Sequence, residues 1–446
     1  GIRGHCIPND AALGLVNCDP WRWCFVRAIG TDMSNGIKKW IQQVTDRALE
    51  ILDLKSTDIP LNDLIEQCHA VISRRGEATG LALAGSVVIS WTNLPESQYI
   101  AFFQRLLAEF GVDKEVLDLA IKAYQDDKSN NSIPQLHKAA EPKRQELFRR
   151  INAAPHGLQC LIKMRETLRL YLKDYPELRQ IDEDFIHLFT SWFNKGFLKL
   201  EQINWDTPAA ILEKLIQYES VHEIRGWDDL RRRLAEDRLC FGYFHPVIPD
   251  EPLIFVEVAL VRGVANAIEP LLATPPAPPI DADTAVFYSI NNCQPGLTGV
   301  TFGNLLIKQV VSVLQSEQPN LERFVTLSPI PGLRRWVESK HPEWLHEFEA
   351  GIDLETSKAR VAKYLTDWQG SRLRDSVARF HLGNGATLGR INIDSDTSRR
   401  GLEQSFGFMV NYFYELDHIV GNHEQLMEQS QIATSREVQL LLKKHC

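Results

Sequence analysis

What this 446-residue chain lacks narrows it first. Its eight cysteines include no Cys-x-x-Cys pair, which excludes ribbon-type zinc sites and dithiol redox motifs. Scattered as they are, they fit a reducing compartment. There is no His-Glu-x-x-His. The pairs His341/His346 and His418/His423 have a spacing that does not share one helical face, so solvated histidines are expected there and no metal site. There is neither a Walker loop nor a Gly-x-Gly-x-x-Gly fingerprint. No apolar run is long enough to cross a bilayer; the longest smooth stretch, Leu81–Trp91, is short and broken by Gly85. Positive charge is not in excess. The net charge of −9 argues against a general nucleic-acid surface, and Arg231–Arg233 reads as a solvated helix face. No internal repeat occurs, and the final Lys-Lys-His-Cys is not a peroxisomal address.

What remains has the texture of a soluble globular protein, with 44% apolar and 24% charged residues. The length calls for more than one core. Residues 1–32 carry Cys6, Cys18, Cys24, Trp21 and Trp23 without helical or strand period. They read as an irregular extension with no signal-peptide plan, and Met33, opening a good amphipathic stretch, as the natural start. From Met33 to about Tyr175 the pattern is helical. Over Pro95–Gly111, Tyr99, Phe102, Phe103, Leu106, Leu107 and Phe110 recur at steps of three and four, with Pro95 suited to the first turn and Gly111 to the end. Leu61–Ser73, Lys114–Tyr124 and Gln145–Ile151 fit the same period. The aromatic-rich segment Asp182–Leu200 reads as a helix packed between domains. Residues 33–184 are therefore expected to form a helical bundle that serves oligomerisation.

Beyond Asp184 the pattern changes. Leu253–Val261, Ala285–Ile290, Phe324–Leu327, Thr387–Ile393 and Phe406–Tyr414 read as strands, and Phe302–Leu314 as a helix among them. Pro275–Pro279 reads as a surface loop, because strands of one sheet flank it. The fold class expected is α+β: an all-α bundle followed, over 185–446, by a mixed-sheet domain.

Three strings stand at the ends of apolar runs. Ser289–Asn304 (SINNCQPGLTGVTFGN) takes a buried strand through a glycine loop to a helix start, an arrangement that offers unpaired N–H groups and a dipole to an anion. Taken alone, the segment reads as a plain glycine turn between strand and helix. Thr326–Gly332 (TLSPIPG) places Ser328 where a strand ends, with Pro329 holding it extended. Phe380–Ala386 (FHLGNGA) places His381 before an Asn-Gly turn and a strand. Alone, the serine reads as a turn residue and the histidine as a core residue.

In this order and spacing, the strings resemble the malonyl-CoA decarboxylase family, whose catalytic domain has the acetyltransferase (GNAT) fold. The likeness extends through Val221–Leu234 and covers most of Met33–Tyr414. It implies that Ser328 and His381 are the catalytic pair, Ser328 accepting a proton and His381 donating one. It implies a pyrophosphate-holding loop at Thr298, Gly299, Val300, Thr301, Phe302, Gly303 and Asn304. It implies pocket roles for Ser289 and for Tyr414, the second tyrosine of the late strand. Gln294–Gly299 carries its first glycine one place early, and Thr301 stands where some members carry glutamate. The reaction implied is decarboxylation of malonyl-CoA to acetyl-CoA and CO2 in fatty-acid and malonate metabolism. No metal or biotin is required, coenzyme A being part of the substrate. A homo-oligomer, dimer or tetramer, is implied, with neither nucleic acid nor membrane as partner. The cytoplasm is the compartment expected. Two other readings use the same residues: a CoA-dependent N-acetyltransferase, and a non-catalytic acyl-CoA-binding regulator.

Overall fold

The computed structural model describes residues 60–73, 76–128, 131–300 and 306–444. The extension 1–32, the expected helix after Met33, and Thr301, Phe302, Gly303 and Asn304 lie outside the described residues. The described chain divides into two units, one of 60–106 with 110–160, the other of 107–109 with 161–444. The boundary expected near Asp184 lies within helix Arg179–Trp192 of the second unit.

The first unit is helical. Helix Leu61–Ser73 has the bounds its period predicts. The Pro95–Gly111 pattern becomes a short 3-10 turn, Glu96–Gln98, and helix Tyr99–Glu109, burying Phe102, Phe103, Leu106 and Phe110. Trp91 packs its ring 4.8 Å from that of Phe102. Trp91 belongs to helix Glu77–Thr92, which buries Ala84, Val87 and Val88 as well. The smooth apolar stretch is thus a core helix. No helix among the described residues is long and apolar enough to cross a membrane.

In the second unit, helix Arg179–Trp192 buries Ile181, Phe185, Leu188 and Phe189. It stops earlier than the aromatic pattern suggests. Asn194 Oδ1 accepts from Gly196 N at 3.0 Å, closing a turn, and strand β1 (Lys199–Ile203) follows. The remaining strands are β2 (Arg238–His245), β3 (Ile248–Val261), β4 (Thr284–Asn292), β5 (Arg323–Thr326), β6 (Ser328–Pro329), the small hairpin β7–β8 (Trp368–Gln369, Arg372–Leu373), β9 (Thr387–Asn392) and β10 (Met409–Phe413). The main sheet runs β1-β2-β3-β4-β5-β10, and β6 and β9 also pair with β10. All its pairs are antiparallel except β4 with β5. Together with the helical first unit, this is the α+β architecture expected from the sequence. β1 and β2 escape the sequence pattern. β2 is buried along nearly its whole length, so it shows no alternation.

The parallel pair creates the opening on which the site is built. Its register ends at Phe287↔Thr326, with one more bond from Leu327 N to Phe287 O at 2.9 Å. β4 runs on to Asn292 while the other chain turns away through Ser328 and Pro329. The arginine run is not a solvated face. Arg233 is 2% exposed and donates to Glu257 at 2.7 Å, and Arg232 pairs with Asp237 at 2.7 Å. Only Arg231 stands in solvent, beside Asp228.

Candidate active site

Ser328 and His381, 53 residues apart in sequence, meet at the strand opening: Ser328 Oγ is 3.1 Å from His381 Nε2. Ser328 is extended, in β6, with Pro329 behind it. His381 lies on helix Ser376–Gly383, ahead of the turn. Asp375 caps this helix, its Oδ1 accepting from Val377 N at 2.9 Å and Ala378 N at 2.8 Å. Tyr364 Oη donates to Asp375 Oδ2 at 3.1 Å, tying the cap to helix Leu354–Leu365. The turn after it is of the kind expected, with Asn384 as the cap and Gly385 at φ +82°, a region glycine enters without strain.

The imidazole is held on three sides. Nε2 faces Ser328, and Nδ1 is 2.8 Å from Tyr414 Oη. The Tyr412 ring stacks on it at 4.6 Å between centroids. Tyr412 and Tyr414 are alternate residues of one strand and its extension, so both reach the same side. Burial pushes the His381 pKa down from 6.5 to about 3, so the ring is neutral at rest. Burial likewise pushes the Tyr414 and Tyr412 hydroxyls up.

A cavity of about 550 Å³ opens in front of the pair. Ser328, His381, Ser289 and Val300 all line it, so the chemistry-bearing side chains and the end of the glycine loop share one space. Arg379 is its only arginine or lysine among the described lining residues. Ser289 is not free: its hydroxyl donates to Glu219 Oε2 at 2.8 Å. Glu219 Oε1 also accepts from Val221 N at 2.7 Å and His222 N at 2.8 Å, which fixes that stretch of the wall. Tyr414 meets the histidine from behind and is not among the residues lining this cavity.

The loop before the site is braced rather than loose. Arg165 Nη1 donates to Gly296 O at 2.6 Å, and Arg169 Nη1 to Thr298 O at 3.3 Å. Thr298 Oγ1 donates to Pro295 O at 2.8 Å. The two loop glycines differ. A Cβ on Gly296 would stand 2.1 Å from Ile162 O, so Gly296 is required by packing against helix Gly157–Tyr171. Gly299 has φ +82° and open space around it. The early glycine thus serves the scaffold, whereas no packing contact requires Gly299.

Sequence reading misses Thr326, Tyr412, Asp375 and Glu219. The signals available were alternation, which puts Thr326 beside Ser328 and Tyr412 beside Tyr414, and the Asp375-Ser376 start of a helix. Nothing local marks Glu219 as the partner of Ser289, which is 70 residues away in sequence.

Comparison with known proteins adds to this geometry. The family model described as malonyl-CoA decarboxylase C-terminal domain matches residues 196–358 and 339–446, and the one described as malonyl-CoA decarboxylase N-terminal domain matches 110–193. The chain is similar to the crystal structure of malonyl-CoA decarboxylase from Rhodopseudomonas palustris, with 46% identity and a TM-score of 0.81, covering 86% of this chain and 100% of that one. For the Agrobacterium vitis malonyl-CoA decarboxylase the values are 44% and 0.79, covering 85% and 99%. Among curated proteins, a mitochondrial malonyl-CoA decarboxylase of Anser anser anser is 34% identical over 67% of this chain and 69% of its own length.

Proposed function

The chain belongs to the malonyl-CoA decarboxylase family, and from that footing we propose that it converts malonyl-CoA to acetyl-CoA and CO2 without a cofactor, using Ser328 and His381 as a proton-transfer pair. Membership makes it an enzyme of the decarboxylase class, a lyase. The single observation carrying the finer reading is the 3.1 Å contact between Ser328 Oγ and His381 Nε2 at a cavity that also reaches Val300.

The mechanism follows from charge. Loss of CO2 from the malonyl group leaves an enolate, for which the thioester carbonyl is the electron sink. The carboxylate that arrives beside His381 is an anion, and a nearby anion favours the imidazolium. A proton is therefore taken up with substrate, against the cost of burial that keeps the ring neutral at rest. C–C cleavage then sends the electron pair into the thioester, where a Ser328 hydroxyl hydrogen bond stabilises the oxyanion, a donor worth roughly 10²–10³ in rate. Protonation of the new carbanion completes the reaction. His381 Nε2–H passes its proton to Ser328 Oγ as Ser328 O–H delivers its own to carbon, so the pair ends neutral and one proton has been consumed. Gly299, with a positive φ and open space around it, marks the phosphate end of the site.

The test is malonyl-CoA alone in buffer. Stoichiometric acetyl-CoA and CO2 support the reading. No product, or product only when an amine acceptor is added, rejects it in favour of a binding protein or an N-acetyltransferase. Self-association through the helical half, as dimer or tetramer, and action in the cytoplasm complete the proposal. Sedimentation and immunolocalisation check those two.

A further inference from the structure

Thr326 and Ser328 are alternate residues of an extended run, so their hydroxyls leave the chain on one side and stand 2.9 Å apart. Thr326 is fully buried, at an interruption of the sheet. β10 pairs with β5 at Phe413↔Val325 and with β6 at Val410↔Ser328. Between these points Tyr412 N–H donates to the Thr326 side chain, at 3.0 Å, and Asn411 Nδ2 donates to Thr326 O at 2.7 Å. A threonine hydroxyl thus does the work of a ladder carbonyl.

A hydroxyl has one proton and two lone pairs. With Tyr412 N–H already donating to Thr326 Oγ1, the Thr326 proton needs its own acceptor. Among the described residues Ser328 Oγ is the partner left to it. The chain Thr326–Ser328–His381–Tyr414 can in principle run in either direction. Running one way, Tyr414 Oη accepts from His381 Nδ1–H and its own proton must go elsewhere. Running the other way, the Thr326 proton is stranded. Tyr414 is among the residues that border a second cavity of about 660 Å³. Thr326 lines neither that cavity nor the one before Ser328. A stranded buried proton is the costlier outcome.

We propose that Thr326 donates to Ser328 Oγ and so keeps the Ser328 proton off Thr326, aiming it at His381 Nε2 in the free enzyme and at the acyl group when substrate is bound. Thr326 is then a positioning residue that acts through Ser328. Its role rests on the Ser328–His381 reading above. The resting His381 is the Nδ1–H tautomer, with Nε2 as the acceptor.

The experiment uses the full chain in two readouts. In ¹⁵N-histidine-labelled protein, the His381 signals are identified by their loss in His381→Asn. The wild type should show the neutral Nδ1–H form, Thr326→Val should lose that preference, and Thr326→Ser should keep it. In malonyl-CoA turnover, Thr326→Val should lower kcat roughly 10- to 100-fold with little change in KM, the rate equivalent of one oriented buried hydrogen bond. Thr326→Ser should restore it, and Thr326→Val should cost nothing further in a Ser328→Ala background. If Thr326→Val does not fold, Thr326→Cys, of similar size and weaker donor strength, is read in its place with the same direction of loss. An Nε2–H tautomer in the wild type overturns the proposal. So does a Thr326 effect on kcat within about twofold, or one that persists unchanged without the Ser328 hydroxyl. Should Ser328→Ala itself leave turnover intact, the catalytic reading fails, and the tautomer still judges Thr326 separately.

Discussion

Tyr414 Oη stands 2.8 Å from His381 Nδ1, on the side of the ring opposite Ser328. A tyrosine behind a histidine fixes which nitrogen carries the proton and which way the ring points. Tyr414→Phe keeps the ring that packs against Phe287 but removes this partner. It should lower kcat by roughly tenfold and leave KM near its starting value, as expected for loss of one oriented hydrogen bond. Steady-state kinetics with malonyl-CoA measures both.

Acid should destabilise the fold through His381. Its pKa is held at about 3 by burial against an ordinary 6.5. Between those values the unfolded chain binds the extra proton, so stability is full above about 6.5 and falls as pH drops toward 3. From this group the loss between pH 7 and pH 5 is about 2 kcal/mol. His222, also buried and also lowered to about 3, adds its own share. Denaturant unfolding at the two pH values should show a smaller difference in His381→Asn than in the wild type, with the His222 share persisting.

The two loop glycines should fail differently. Gly296→Ala puts a methyl group against Ile162 O and should destabilise the whole unit by about 1–3 kcal/mol, the usual cost of overpacking. Gly299→Ala has room but a positive φ, costing about 1–2 kcal/mol locally. It should weaken binding of CoA esters more than it lowers the melting temperature. Thermal unfolding with and without acetyl-CoA separates the two.

Much of this fold can be read in the sequence wherever a pattern has a period. Leu61–Ser73 and Tyr99–Glu109 announce themselves by apolar steps of three and four. β3 and β4 are longer than expected but stand in the expected places. β1 is hidden because aromatic residues run the preceding helical pattern into it, and β2 because burial on both faces erases alternation. The site is legible in its motifs and illegible in its support. Ser328 and His381 sit in recognisable strings, whereas Thr326 and Glu219 act through contacts that only the folded sheet creates.

Arg233 shows where charge patterning misleads. Three consecutive arginines suggest solvent, yet the guanidinium of Arg233 is buried against Glu257 at 2.7 Å and donates to His222 O at 3.0 Å. Removing one partner of a buried pair strands the other charge. Arg233→Ala should therefore cost about 3–5 kcal/mol of stability, while Arg231→Ala, at an exposed pair, should cost under about 1 kcal/mol. Urea unfolding of the two variants reads the contrast.

The most direct test of the account is the initial rate of acetyl-CoA formation from malonyl-CoA in Ser328→Ala and His381→Asn beside the wild type, with acetyl-CoA binding measured in parallel. The account predicts that each variant loses roughly 10²–10⁴ in kcat while still binding acetyl-CoA, as expected when a proton-transfer group is removed from an intact pocket. Wild-type turnover in either variant would contradict it.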